Sequence, residues 1–406
     1  GAPSLALVNI AGTPQGTMAT AGNFSGRVQS PDGALSSSNL VGVGGSNVVI
    51  VNYQEDGQLL WARDLIAFAP SAVSVTRVAA DPTDGSVVIA GDFQGTVDFD
   101  PGPGIALVIN GNVSRQHDIF VVKLDARGEF QWVRTFQGVG ANQGASVSAL
   151  AVTSFGEVAV AGEMSGTYDF DPSGGSVTLN TGQPTLALPY LAKLNRDGNF
   201  ANDGVSSFAE LFGSAINSSI RVNAIESDPS GRIVATGGFT GSADFGPNST
   251  VFMLNSAGGQ DGFVFQVDRR GALNWANRFG GLPTAGNTTP EQGLAIGTDA
   301  AGNVYVAAQY HTGQVTYGAP SSGVPLNLRF TGPNDQMVIR LSPTGRSNWA
   351  TRLGTGLNLG STLGVSPSGI VGVSGSVSNL QSFDASIRAG ATFTPRPGVN
   401  PSLYVL

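Results

Sequence analysis

Two pairs of aspartates are the residues in this sequence whose spacing most suggests chemistry. Asp98 with Asp100, and Asp169 with Asp171, stand at Asp-x-Asp spacing beside turns rich in Gly. Carboxylate oxygens at this spacing, together with carbonyl oxygens of the turn, are ligands that Ca²⁺ prefers. The favoured interpretation is a plain hairpin turn, because the complete Asp-x-Asp-x-Asp-Gly loop with a distal Glu is absent. Calcium at these four residues is the alternative prediction.

The aspartate pairs belong to a longer stretch that recurs along the chain. A copy in the fourth repeat keeps only Asp244 of the pair. The related stretches are Asp92–Asn110, Met164–Asn180, Phe239–Asn255 and, more weakly, Tyr317–Pro320 and Ser382–Ala385.

Other catalytic arrangements find little support. His117 and His311 are the only histidines, and cysteine is absent. Neither histidine lies in a catalytic motif, and they fall in different repeats, so both are interpreted as exposed loop residues rather than as a triad base or a zinc ligand. Glycoside hydrolysis by two carboxylates stays open among the 28 Asp and Glu, but no spacing selects a pair, and no catalytic residue is predicted.

Composition and charge narrow the class of protein. A net charge of −8 and a pI near 4.7 argue against a nucleic-acid partner, which needs a basic face. No apolar run approaches the roughly 20 residues of a membrane helix, so membrane insertion is not expected. Gly is 58 of 406 residues and only 12% of residues are charged, which suits an all-β chain full of turns.

The elements that must position these residues are short apolar segments joined by Gly-containing turns. They come in pairs, and each pair predicts a β-hairpin. The first hairpin of each repeat is predicted at 5–10 with 17–22, 75–80 with 86–91, 147–152 with 157–162, 222–227 with 232–237, 294–298 with 303–308, and 362–365 with 370–375. The second is predicted at 48–52 with 59–65, 119–124 with 130–136, 190–194 with a strand ending at 212, 263–267 with 273–279, and 337–341 with 348–353.

The tryptophans confirm the tandem period. All four, at positions 61, 132, 275 and 349, occupy the same place in the second hairpin, with separations of 71, 143 and 74 residues, so the third repeat lacks its Trp. We interpret them as packing between repeats rather than as ligand platforms. In the sixth repeat, Pro401–Leu406 matches the third strand and no Trp strand follows it.

Six four-stranded antiparallel sheets in tandem predict a single all-β domain over 1–406, a β-propeller of six blades, with seven as the alternative. The stretches between second and third strands run to about twenty residues, and strand alternation places all of them on one face. That long-loop face is where we expect binding. The repeats are 1–68, 69–138, 139–214, 215–281, 282–355 and 356–406.

The repeat resembles the bacterial SBBP-type β-propeller repeat, on the stretches Asp299–Ala307, Phe263–Gly271 and Leu273–Gly281. The resemblance covers nearly the whole chain. It implies export and a binding or scaffolding part, and it supplies no catalytic residues.

The sequence therefore leads us to expect a non-catalytic binding, adhesion or scaffold module for a glycan or protein, located outside the cell or on its surface. The periplasm is the alternative location, and a polysaccharide hydrolase or lyase is the alternative function. Low charge and only two lysines favour an exported chain, and a start at Gly1 without Met fits either a processed secreted protein or a trimmed chain. The oligomeric state is left open.

Overall fold

The alternating apolar segments form antiparallel strands, and the residues that the computed structural model describes contain no helix, hence none able to cross a membrane. The chain forms two compact units, Gly1–Glu210 and Leu211–Leu406. The described residues are 4–13, 16–25, 27–28, 40–41, 46–109, 117–139, 143–201, 203–213, 219–247, 251–281, 290–310, 315–318, 324–325, 328, 335–354, 357–377, 381–382, 392–393 and 402–405.

The first three repeats supply eighteen strands. In chain order they are β1 Ser4–Gly12, β2 Thr17–Ser25, β3 Arg27–Val28, β4 Leu40–Val41, β5 Asn47–Gln54, β6 Leu59–Ala67, β7 Ala72–Ala80, β8 Val87–Gln94, β9 Thr96–Asp98, β10 Leu107–Ile109, β11 Asp118–Leu124, β12 Phe130–Phe136, β13 Gly144–Val152, β14 Val158–Ser165, β15 Thr167–Asp169, β16 Thr178–Asn180, β17 Ala187–Leu194 and β18 Phe208–Leu211.

The last three repeats supply fifteen more. They are β19 Ser219–Ser227, β20 Ile233–Asp244, β21 Met253–Val267, β22 Leu273–Gly280, β23 Gln292–Thr298, β24 Val304–Tyr310, β25 Thr316–Tyr317, β26 Val324–Pro325, β27 Asp335–Leu341, β28 Ser347–Gly354, β29 Leu357–Val365, β30 Val371–Val377, β31 Gln381–Ser382, β32 Thr392–Phe393 and β33 Ser402–Val405.

Each repeat forms its own antiparallel sheet in simple meander order. The orders of the four strands are β1-β2-β5-β6, β7-β8-β11-β12, β13-β14-β17-β18, β19-β20-β21-β22 and β23-β24-β27-β28, and the sixth sheet is β29-β30-β33. The first of these sheets is extended to six strands by β9-β10, and the fourth by β25-β26, in each case from the next repeat. Both predicted hairpins are therefore confirmed in each of the first five repeats. In the sixth, Ser374 pairs with Val405, as predicted for a third strand.

The third strands form the centre of the hydrophobic core. In β11 every residue is buried, because neighbouring sheets cover both of its faces. Its Lys123 is one of only two lysines, and its Nζ lies 2.6 Å from the carboxylate of Asp81 in the turn after the first strand. Lys193 in the next repeat does the same with Glu157 at 2.8 Å. Each buried charge is thus paired, which a buried ammonium requires.

The long stretches after the second strands form hairpins where they are described, as the favoured interpretation of the aspartate turns predicts. Two of them pair with the outer strand of the preceding repeat. Ile66 and Ala67 of β6 pair with β9, and Phe279 and Gly280 of β22 pair with β25. Buried aromatic residues anchor these hairpins to the core: Phe99, Tyr168, Phe170, Phe245 and Tyr317. Apolar anchoring explains why the sequence repeats itself there.

The tryptophans join one repeat to the next, as the sequence predicts. Each of three indole rings lies flat against a turn glycine between the third and fourth strands of the following repeat. The pairs are Trp61 on Gly128, Trp132 on Gly198 and Trp275 on Gly345. A Cβ at Gly128 would stand only 2.8 Å from the Trp61 ring, so no other residue fits without displacement.

Polar contacts complete this arrangement, which we call the tryptophan clamp. The indole Nε1 of Trp61 donates to the carbonyl of Ala126 at 3.0 Å. Two residues beyond the indole, the Arg63 side chain donates to the carbonyl of Gly128 at 2.9 Å. Arg134 and Asn277 repeat that bond onto Gly198 and Gly345. The clamp therefore combines a ring face, an indole N–H and a second donor.

Replacing Gly128 by Ala is expected to destabilise the protein more than replacing Gly57 by Ala. Both glycines have positive φ, of 78° and 87°, so both variants carry a backbone cost of about 1–2 kcal/mol. Only Gly128 faces an indole; nothing lies within 4 Å of a Cβ at Gly57. The clash should add about 1–3 kcal/mol.

Urea unfolding of both variants measures the difference. Equal losses of stability would show that the indole contact does not hold the repeats together.

Candidate binding cavity

A cavity of about 380 Å³ opens between the second and third repeats, within the first unit. It lies where β8 and β14 end and where β11 and β17 begin. This is the end of the sheets from which the long hairpins leave, and it is where the sequence led us to expect binding. The polar and flexible side chains that line it are Asp92, His117, Ser146, Glu163, Met164 and Ser165.

Strand register brings Asp92 and His117 together, although a 25-residue separation hides the pair in the sequence. Asp92 in β8 pairs with Ile119 in β11, and His117 lies two positions before Ile119 on the same face of the sheet, so Asp92 and His117 are diagonal neighbours. The Nδ1 of His117 lies 2.8 Å from a carboxylate oxygen of Asp92. The His117 side chain is 53% exposed, which confirms the predicted exposure. Its pairing with Asp92 was not predicted from the sequence.

The backbone of His117 is contacted from the third repeat. The hydroxyl of Tyr168, on the β15 hairpin, donates to the carbonyl of His117 at 3.5 Å. The neighbouring Asp118 accepts the backbone N–H of Gly138 at 3.2 Å. Since Nδ1 is engaged by Asp92, Nε2 is the imidazole nitrogen available to a ligand.

Burial raises the pKa of two carboxyl groups at the cavity, those of Asp92 and Asp118. It raises the pKa of Asp92, and the adjacent His117 partly offsets that effect. Burial also raises the pKa of Asp118 to about 6, against the lowering influence of its bond from Gly138. Removal from water disfavours the charged carboxylate in both cases.

The cavity exists because side chains that fill the same place elsewhere are missing here. Between the first and second repeats, Asn23 occupies the position of Asp92 and bridges to the backbone of Val75 at 2.8 and 3.2 Å. In the fourth repeat, Gln260 occupies the position of His117 and lies over Gly238. The Asp92–His117 bond turns both side chains toward each other and leaves the junction open.

The residues that line the cavity present mainly hydrogen-bond acceptors, and the backbone holds one of them in place. Glu163 enters from the third repeat, at the position that Asp92 holds in the second. The Ser165 hydroxyl is held by the backbone of Gly144, with oxygen distances of 3.1 Å to N and 3.4 Å to O. Carboxylates and an imidazole facing a small space suit a ligand rich in hydroxyl or other donor groups.

The Asp-x-Asp pairs lie elsewhere, each in the turn of a long hairpin. One oxygen of Asp98 accepts two backbone N–H groups, from Asp100 at 3.1 Å and Ala106 at 2.9 Å. Asp100 in turn accepts the N–H of Gly102 at 2.8 Å. These bonds close the hairpin without a metal ion.

The other copies are built in the same way. Asp169 accepts the N–H groups of Asp171 and Val177 at 3.0 and 2.9 Å, and Asp171 accepts that of Ser173 at 2.8 Å. Asp244 closes its turn through the N–H groups of Gly246 and Phe252, although its repeat lacks the second aspartate.

The structure therefore supports the turn interpretation, and calcium at these aspartates stays a prediction. In the part of the chain that is described, no three His, Cys, Asp or Glu side chains lie together in a way that could hold a metal ion. His311 lies outside the described residues.

Comparison with known proteins gives little further information. No family model matches the chain, so the resemblance to SBBP repeats also stays a prediction. A stretch of 181 residues is 32% identical to the regulatory protein FlaEY of Caulobacter vibrioides, covering 44% of this chain but only 17% of that protein. A solved structure from Dyadobacter fermentans, of unknown function, aligns over 85% of this chain and 93% of its own length, with 11% identity and a TM-score of 0.32. That score carries no argument about the fold.

Replacing Asp98 by Ala is expected to destabilise the protein by about 1–3 kcal/mol, because two backbone N–H groups lose their acceptor. The loss should be equal in calcium and in EDTA. Thermal unfolding in both conditions, with Asp100→Asn as the companion variant, measures it. A calcium-dependent stabilisation of the wild type that Asp100→Asn abolishes would instead establish the metal site.

The raised pKa of Asp118 predicts how the stability of the protein depends on pH. Its folded pKa of about 6 lies above the ordinary 3.8, so the stability that the protonated carboxyl contributes at low pH is lost as the pH rises from about 4 to about 6. Asp118→Asn keeps an acceptor for Gly138 and does not titrate. Its melting temperature relative to the wild type should therefore increase between pH 4 and pH 7; a constant difference would contradict the assignment.

Proposed function

We propose that this chain is an exported or cell-surface β-propeller that binds a glycan, without catalysis, through the cavity between its second and third repeats. Six blades are proposed from the six consecutive sheets, with seven as the alternative if a further sheet takes part. The low share of charged residues and the small number of lysines support export. The two lysines, Lys123 and Lys193, are both buried in ion pairs.

The observation that carries the binding proposal is the open junction itself. The cavity has a volume of about 380 Å³ and is lined by acceptor groups of Asp92, His117 and Glu163. A space of this size accommodates a sugar-sized group rather than the surface of a protein. Sugar hydroxyls donate to carboxylates and to a neutral imidazole nitrogen. A protein ligand would need a broader surface than this cavity provides.

A polysaccharide-active enzyme is the second candidate, and one observation favours it. Asp92 is a cavity carboxylate with a raised pKa, as a general acid requires, and Glu163 supplies a second carboxylate. The binding function is preferred because a carboxylate oxygen of Asp92 is already occupied by a hydrogen bond with Nδ1 of His117 at 2.8 Å. Release of reducing ends by the wild type, and its loss in Asp92→Asn, would favour the enzyme.

A glycan array followed by titration calorimetry tests the proposal. Glu163→Gln and His117→Ala are expected to weaken binding of the selected glycan about tenfold or more, because the first removes the charge of an acceptor and the second removes the imidazole, and a hydrogen bond to a charged group contributes about 1.5–3 kcal/mol. Glu55→Gln, an exposed turn carboxylate in the same unit, is the matched control and should bind normally.

Two results would contradict the proposal. Equal binding by all three variants would place the ligand elsewhere, and an array without any binder would remove the glycan as the ligand class.

A further inference from the structure

The carboxylates of the cavity between the second and third repeats restrict the class of glycan that it can take; this step rests on the function proposed above. Of the described residues that line the cavity, Asp92 and Glu163 carry carboxylates, and none is Lys or Arg. His117 engages one oxygen of Asp92 and can neutralise at most one of the two carboxylates. At least one negative charge in this lining is therefore left for a ligand to pair with.

Glu163 is the carboxylate that stays unpaired. Its side chain makes no hydrogen bond and no ion pair with the residues that the structure describes, although it is partly buried. Ser146 lies directly opposite Glu163 on the neighbouring strand and is exposed. The backbone carbonyl of Ser146 accepts the hydroxyl of Tyr190 at 3.1 Å, which leaves the Ser146 hydroxyl for a ligand.

Negative charge at this place belongs to the open junction and not to the repeat as such. Strand register puts one residue of each second strand at the position of Asp92 and Glu163. In the other repeats that residue is uncharged: Asn23, Gly238, Gln309 and Ser376. The two carboxylates thus occur in the two neighbouring repeats that form the cavity.

A protonated amine on a sugar matches this lining better than a hydroxyl does. An ammonium group donates three hydrogen bonds, and its bonds to carboxylates are roughly twice as strong as neutral ones. The Ser146 hydroxyl and Nε2 of His117 offer further acceptors. Met164 and Ala145, both buried, give the cavity an apolar wall suited to the C–H face of a sugar ring.

We propose that the cavity selects glycans with a free amino group, such as glucosamine units without the N-acetyl group, and that Glu163 binds the ammonium as an ion pair. Asp92 adds a second negative charge to the same space. N-acetylation removes the positive charge of the sugar, and a uronic or sulfated sugar reverses it, so both kinds of glycan bind more weakly.

Three β-1,4-linked disaccharides that differ only in the group on carbon 2 test this selectivity: those of glucosamine, N-acetylglucosamine and glucose. Calorimetric titration at pH 7, where most of the amine is protonated, is the measurement. The glucosamine disaccharide is expected to bind about tenfold or more tightly than the other two. Added salt should reduce this preference, because it screens the charges.

Two matched variants separate the cavity from general attraction of a cationic sugar to a chain of net charge −8. Glu163→Gln keeps the shape of the side chain and removes its charge, so the preference for glucosamine should fall to about twofold or less. Glu55→Gln removes an exposed charge of the same unit away from the cavity and should keep the full preference.

Each contrary result identifies which proposal fails. Absence of binding by the glucosamine disaccharide, equal affinity for all three, or a preference that Glu163→Gln leaves unchanged would overturn the amino-sugar assignment. A neutral or acidic glycan from the array that binds the wild type and loses affinity in His117→Ala would overturn that assignment alone and leave glycan binding by the cavity standing. An array without any binder would remove both proposals.

Discussion

An indole lying flat on a glycine with positive φ is the contact on which the tandem array depends. Each sheet of four short strands has two apolar faces and cannot cover both alone. The clamp fixes the distance and register between one sheet and the next, because the ring has room for a hydrogen atom and for nothing larger. The indole N–H and the neighbouring Arg63 or Arg134 then satisfy the turn carbonyls, which would otherwise stay unpaired beside an aromatic ring.

The cavity follows from this regular frame. Because a buried Lys–carboxylate pair and a clamp hold the body of the second and the third sheet, the residues at the ends of their second and third strands can vary without loss of the core. Asn23 and Gln260 fill their junctions, whereas Asp92 and His117 bond to each other and leave theirs open. A common scaffold with one altered junction is how repeat proteins acquire a site.

The sequence was sufficient for the strands and for the role of Trp61, Trp132 and Trp275, whereas Trp349 is 40% exposed. Gly-containing turns and the 71-residue spacing of Trp61 and Trp132 identify both, because backbone and packing requirements recur in every repeat. The site was not predictable in the same way. Asp92 and His117 meet only through the pairing of β8 with β11 across a long hairpin, and a single sequence does not reveal that one junction lacks its filler. The hairpin turns were predicted, but the pairing of β9 with β6 and of β25 with β22 of the preceding repeat was not.

Exchange of the indole N–H protons tests the clamp most directly, because ¹⁵N-labelled tryptophan gives one signal for each of the four indoles. Single Trp→Phe variants assign the signals. The account predicts slow exchange for Trp61 and Trp275, whose Nε1 atoms donate to Ala126 and Pro343, and rapid exchange for Trp349. Equal, rapid exchange at all of these positions would contradict it.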